Sequence, residues 1–352
     1  MTNALLTRLG MNVPIIQAPM AGVATPALAA AVSNAGGLGS LGLADLPPEK
    51  ARAAIDDLRD RTNRSFNLNF FVNEPAALDR YDAGPMAARL APYYAEYGLG
   101  AVPAPKAPYP PFGAAGVELL LATRPAVASF HFGLPEASAV TALRDAGILI
   151  MGSATTIAEA KALEAGGADA IVAQGWEAGG HRGVFLGNAD APSAGTLALT
   201  RQIVMAVKLP VIAAGGIADG AGIAAVLALG AAAAQIGTAF LLCPEAATKP
   251  VHRAAIVNAK DNDTTVTRVF SGRPARVIAN RFVHEMSDAA VLAAPFPAQH
   301  SLTSPLRQPS QDRGSTDFLP LYAGQAAGMA RAVPAAELMN ALALEWRAAT
   351  KR

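Results

Sequence analysis

The feature that most constrains this chain is a theme repeated along its first 240 residues: a short apolar run, a glycine or polar loop, then an alanine-rich helical stretch. Short runs that are apolar throughout, without polar alternation, suit strands buried on both faces, as in a parallel sheet covered by helices. The runs are Ile15 to Ala18, Leu38 to Leu41, Phe66 to Phe70, Ala126 to Phe130, Leu149 to Gly152, Ala170 to Ala173, Val211 to Ala214 and Ala234 to Ile236. Helix starts follow them: Thr25 before Pro26, Thr156 with Glu159 three residues on as a capping box, and Asp219. Eight strands, each followed by a helix, predict an α/β chain folded as a (β/α)8 TIM barrel.

Two stretches break the repeat. Residues 75–112 hold a helix and a Pro- and Tyr-rich loop where an ordinary connection would be short, and beyond residue 260 the pattern changes to a β-like Thr264 to Phe270, then helices around a Pro-, Gln- and Ser-rich loop at 295–316. The expected organisation is a barrel over 1–260 and a smaller, mostly helical cap over 261–352, with the insertion 75–112 contributing to the cap. For 303–316 a disordered tail explains the letters equally well.

Composition narrows the function. With 28 Lys plus Arg against 27 Asp plus Glu, the net charge of +1 gives no electrostatic footprint for nucleic acid or an anionic membrane. One cysteine forms no intrachain disulfide or thiolate cage, and five scattered histidines lack metal-site spacing, so no metal and a reducing, cytoplasmic setting are expected. The amino terminus has no long apolar stretch of a secretory signal. Residues 221–243 are apolar over a length that could span a bilayer, but glycines interrupt them and Asp219 precedes them as a helix N-cap, so helix, turn and buried strand account for them. A small-molecule enzyme, monomer or homodimer, is the remaining class.

Gly37 to Gly42 match the GxGxxG pattern, yet a helix-like stretch precedes them and no helix opens on them, so close strand packing is the better account. The stronger signal lies where the last strands end. Gly215-Gly216 after the seventh strand and Gln235-Ile236-Gly237-Thr238 at the eighth expose backbone N–H groups, and with the positive end of the helix from Asp219 they predict a phosphate cradle. The sixth strand ends in Gln174, then Gly179, Gly180 and His181: an amide for ligand hydrogen bonds, backbone open to close approach, and a group titrating near neutrality. His131, after the fourth strand, faces the same mouth among aromatic neighbours, for catalysis or for positioning.

IQAPMAG at 16–22, GGLGSLG at 36–42, NLNFF at 67–71, SFHFG at 129–133, AQGWEAGGHRG at 173–183, PVIAAGGI at 210–217 and QIGT at 235–238 together closely resemble the nitronate monooxygenase family, and FSGRPARVIANRF at 270–282 with LYAGQ at 321–325 extends the match. The resemblance implies an FMN enzyme that oxidises propionate 3-nitronate or other alkyl nitronates with O2, by way of a flavin semiquinone, to a carbonyl product with nitrite or nitrate. It further implies FMN contacts from Asn69, Gln174, Gly179, Gly216, Gln235, Gly237 and Thr238, with Met20 packed against the ring system. His181 would orient the nitronate or act as base on a neutral nitroalkane, and Tyr109 and Tyr322 would line the substrate cavity with His131. An FMN-dependent NAD(P)H:quinone or enoyl-thioester reductase shares parts of these motifs. A flavin-free lyase or isomerase on a phosphorylated substrate would use the same cradle, but no Lys or carboxylate pair stands at the strand ends to serve it.

Overall fold

A computed structural model describes residues 3–351. Eight strands form one parallel sheet: β1 (Ile15–Gln17), β2 (Gly39–Gly42), β3 (Phe66–Phe71), β4 (Val127–His131), β5 (Leu149–Ala154), β6 (Ala170–Gln174), β8 (Val211–Ala214) and β9 (Ala233–Ile236). Three more, β7 (Gly180–His181), β10 (Thr264–Thr267) and β11 (Ala275–Ile278), form a separate sheet. Leu38 closes the barrel, its N–H donating to the Ile15 carbonyl at 3.0 Å while its carbonyl accepts from Gln17 N at 2.9 Å.

The strands carry two cores because successive side chains point to opposite faces. Ile16, Leu38, Leu149, Met151, Val172 and Ile212 fill the barrel, plugged from below by Leu5 and Leu9 of the helix Ala4–Leu9. Ile15, Ile150, Ile171 and Val211 point outward against the helices. The caps form where the sequence places them: Thr25 accepts from Leu28 N at 3.0 Å, Thr156 from Glu159 N at 3.1 Å and Asp219 from Gly222 N at 2.8 Å. The capping box differs in detail, since Glu159 reaches past Thr156 to Thr155 N and Oγ1, both at 2.7 Å. Gly39 shows why the GxGxxG run belongs to a strand, because a Cβ there would stand 1.9 Å from the Ala29 carbonyl oxygen. The apolar stretch 221–243 divides into the helix Gly220–Ala228, β9 and the short turn Thr238–Phe240. Among the described residues no helix is long and apolar enough to cross a membrane.

Over the mouth, the helix Gly84–Glu96 of the insertion shares a core with residues 269–318: Met86, Leu90, Tyr93 and Tyr94 meet Phe270, Phe282, Leu302 and Phe318. Here β10, β11 and β7 pair antiparallel in the order β10-β11-β7, so the covering unit holds a sheet as well as helices. Residues 299–312, expected as loop or disordered tail, are helical over Gln299–Thr303 and Arg307–Asp312, joined by the turn Ser304–Leu306. Gln299, Leu302, Thr303, Leu306 and Ser310 are all buried, a helical spacing whose polar letters conceal it. The last helix, Ala335–Ala349, lies outside the cap: Leu338, Met339 and Leu342 pack into the barrel shell with Leu28, Val32, Ile223 and Val226.

Candidate active site

The inward parity of β3, β4, β5, β6 and β9 carries polar residues at their carboxyl ends, above the apolar filling. Asn69, Ser129, His131, Ser153, Gln174 and Gln235 all continue inward-facing rows, and all border one cavity of about 590 Å³. Met20, Tyr109, Gly179, His181, Gly215, Gly216, Gly237, Thr238 and Tyr322 border it too. Ile236 does not. One residue out of step with Gln235, its side chain packs between sheet and helices, 1% exposed, and its carbonyl accepts from Ala18 N at 2.8 Å.

At one end of the cavity the loops after β8 and β9 turn backbone inward. Gly215 and Gly216 have φ of +117° and +68°, a conformation open to glycine, and the N–H groups of Gly216, Ile217, Thr238 and Ala239 have no acceptor among the described residues. Unpaired N–H groups converging on a cavity suit a phosphate. The helix Gly220–Ala228 does not join them. Its N-terminus is spent on protein carboxylates, with Gly222 N on Asp219 and Gly220 N on Glu345 Oε2 at 3.0 Å, because the last helix packs across it.

His181 stands in the middle, on β7. Its carbonyl accepts from Gln174 Nε2 at 2.9 Å and lies 3.0 Å from His131 Nε2, which therefore carries its proton. Gln174 Oε1 accepts from Gly183 N at 2.8 Å, so this amide clamps both ends of the turn. Below, the fully buried Arg182 donates to the Gly175 carbonyl at 2.6 Å, with its guanidinium 5.2 Å from the Trp176 ring centre. The His181 imidazole Nε2 meets Ser271 Oγ at 2.8 Å, and Ser271 donates onward to the Arg273 carbonyl at 3.3 Å. In that network Nε2 bears the proton and Nδ1 is the free lone pair. Burial pushes His181 down to about 3 and His131 down to about 4, reinforced for both by the Arg273 charge, so both rings are neutral at ordinary pH.

The far end of the cavity is cationic. Arg307 borders it beside His300, whose ring nitrogens lie 3.0 and 3.2 Å from the guanidinium, and no carboxylate pairs with Arg307 among the described residues. Burial lowers its pKa, while the Tyr322 and Tyr109 hydroxyls nearby favour its charge. Asp45 also borders the cavity, its carboxyl raised by burial. Phe71 and Phe296 form an apolar wall with ring centres 6.2 and 5.3 Å from that of His181. Ser271, His300 and Arg307 were not singled out in the sequence. The polar letters of 299–310 carry no signal that would have found the last two.

The model of the nitronate monooxygenase family matches residues 3–345. The chain belongs to that family. It is 47% identical over 347 residues to a nitronate monooxygenase of Paraburkholderia phytofirmans, covering 97% of this chain and 94% of the relative. A nitronate monooxygenase of Pseudomonas aeruginosa is 45% identical, with 99% and 100% covered. Among solved structures, nitroalkane oxidase from Streptomyces ansochromogenes superposes with a TM-score of 0.88 at 42% identity, covering 99% of both chains. FabK from Thermotoga maritima gives 0.77 at 28% identity, covering 100% and 98%. The nitronate monooxygenase family is one of flavin-dependent oxidoreductases, and the eight-stranded barrel of this member is the fold it shares with these neighbours.

Proposed function

We propose that this chain is an FMN-dependent nitronate monooxygenase that oxidises propionate 3-nitronate, or another alkyl nitronate, with O2 to a carbonyl product plus nitrite or nitrate. One observation carries the reading: a single cavity joins unpaired backbone N–H groups at one end to an unpaired cation, Arg307, at the other, with neutral His181 between them.

FMN fits this donor set. The N–H groups of Gly216, Ile217, Thr238 and Ala239 would hold its phosphate, while Asn69, Gln174, Gln235 and the Gly179 backbone would hold the ring and ribityl chain, with Met20 against the ring. Asn69 Nδ2 is held by Ser129 O and Oγ at 3.1 and 2.9 Å, which fixes the amide and leaves its oxygen for a donor. When bound, the flavin supplies the electron acceptance that no side chain here provides.

The protein supplies position and charge. Arg307 and His300 would hold an anionic group of the substrate and set its nitronate carbon toward His181. The phenyl walls of Phe71 and Phe296 exclude water there, which strengthens each remaining polar contact. A nitronate needs no deprotonation, so His181 orients it; a neutral nitroalkane would give its α-proton to the free Nδ1 of His181.

Arg307→Met tests the assignment. Because hydrogen bonds to a charged group are worth roughly 1.5–3 kcal/mol, KM in an oxygen-consumption assay should rise about 10- to 100-fold for propionate 3-nitronate and by less than about threefold for an uncharged alkyl nitronate. Equal effects on both would remove the anion-binding role.

A further inference from the structure

Among the described residues, two that are not glycine have positive φ: Arg124 at 42°, which closes the helix Ala114–Thr123, and Phe132 at 71°. Arg124 is an ordinary helix terminator. Phe132 is not at a helix end, and a bulky side chain rarely adopts this conformation, where glycine would sit without strain. Its ring is what the chain retains by keeping phenylalanine there.

In an extended strand, the side chains of neighbouring residues point to opposite faces. The left-handed turn at Phe132 breaks that alternation, and the rings of His131 and Phe132 come to 4.5 Å between centres. The Phe132 ring, 5% exposed, then meets Phe71 at 5.1 Å, Phe296 at 5.4 Å and His181 at 6.4 Å, and carries the Arg273 guanidinium 4.0 Å from its centre. Arg273 donates to the Val184 carbonyl and makes no ion pair among the described residues, so its charge is supported by the ring and by the more distant Glu159 carboxylate. Phe132 does not border the cavity.

We propose that Phe132 is a positioning residue for His181, its strained backbone holding one ring as the common support of the His131 ring, the His181 ring and the Arg273 guanidinium. The segment 181–184 is thereby fixed at three points: at the His181 carbonyl through His131, at the His181 ring directly, and at Val184 through Arg273. A leucine in place of Phe132 would fill much of the volume but offers no face for the guanidinium and no flat edge for the two imidazoles.

The kinetic part of the test rests on the nitronate reading; the spectroscopic part does not. Phe132→Leu and Phe132→Tyr are prepared as yellow holoenzyme, with Phe132→Met replacing the leucine variant if that fails to fold. The imidazole nitrogens of His181 are observed by NMR, assigned by their loss in His181→Asn. The proposal expects the single Nε2-protonated pattern in wild type and Phe132→Tyr, and averaging of the two tautomers in Phe132→Leu. In anaerobic mixing with propionate 3-nitronate, the saturating rate of flavin reduction should fall about 10- to 100-fold in Phe132→Leu, as for a misplaced group, while half-saturation moves less than about threefold and Phe132→Tyr recovers the rate. An unchanged His181 spectrum in folded Phe132→Leu overturns the proposal, as does a loss that Phe132→Tyr fails to restore. If wild type itself is not reduced by the nitronate, the functional reading fails and the spectra alone decide the role of Phe132.

Discussion

His181 and Ser271 meet across the boundary between barrel and cap, Nε2 to Oγ at 2.8 Å. The imidazole rides on β7, a strand that leaves the barrel loop after β6 to pair with β11 of the cap, His181 opposite Ala275. The cap therefore builds the site as well as covering it. Tyr322 completes the junction, its ring centre 5.4 Å from that of His181 and its backbone bridged to Val277.

Ser271→Ala should release the His181 ring while leaving the phosphate loops untouched. A neutral hydrogen bond contributes roughly 0.5–1.5 kcal/mol, so kcat/KM for a nitronate should fall about 2- to 10-fold with FMN content unchanged. Loss of flavin from the folded variant would show that Ser271 belongs to cofactor retention instead.

Gly216→Asp should abolish flavin retention. Its φ of +68° disfavours a side chain, a Cβ there would stand 3.1 Å from Glu177 Cβ, and the new carboxylate would face the phosphate. Expected is a folded, colourless protein whose FMN affinity, followed by flavin fluorescence, is weaker by at least about 100-fold, or roughly 2.7 kcal/mol. Normal yellow colour would rule out the cradle.

Four histidines give the stability a pH dependence of definite sign. Burial lowers His131 and His252 to about 4 and His181 and His300 to about 3, against an ordinary 6.5. The unfolded chain takes up these protons near 6.5 and the folded chain only near 3–4, so their stabilising effect is complete above 6.5 and is lost as pH falls from there through the folded values. Tm measured across this range should hold near neutrality and drop steadily toward acid. A Tm that stays level down to pH of about 4 would contradict the burial of these rings as neutral groups.

Much of this was legible in the letters because parallel strands and their following helices write a regular pattern. The eight apolar runs coincide with the eight barrel strands to within a few residues, and period-two alternation from Val172 to Gln174 or from Ala233 to Gln235 lifts the polar residues to the mouth. The same rule, applied to Ile236, would have sent it outward. What was hidden depends on distant partners. Glu345 takes the helix N-terminus at Gly220 from 125 residues away. Arg307 opens a helix that follows another, Gln299–Thr303, whose buried residues include Gln and Thr, satisfied by bonds such as Gln299 Nε2 to Val269 O at 2.9 Å. In the letters the last helix falls within the cap over 261–352, and only packing shows that cutting the chain at 261 would strip the barrel shell of Leu338 and Leu342.

If the cavity brings a nitronate to a bound flavin, the nitronate itself should reduce that flavin. Anaerobic stopped-flow mixing of the yellow protein with propionate 3-nitronate, and separately with NADH, tests it most directly. Rapid bleaching of the oxidised flavin by the nitronate is expected, with little or none by NADH. His181→Asn should slow reduction by a neutral nitroalkane far more than by the nitronate, since only the former must lose a proton to Nδ1. Rapid reduction by NADH with no response to the nitronate would overturn the nitronate reading and make the protein an FMN-dependent reductase.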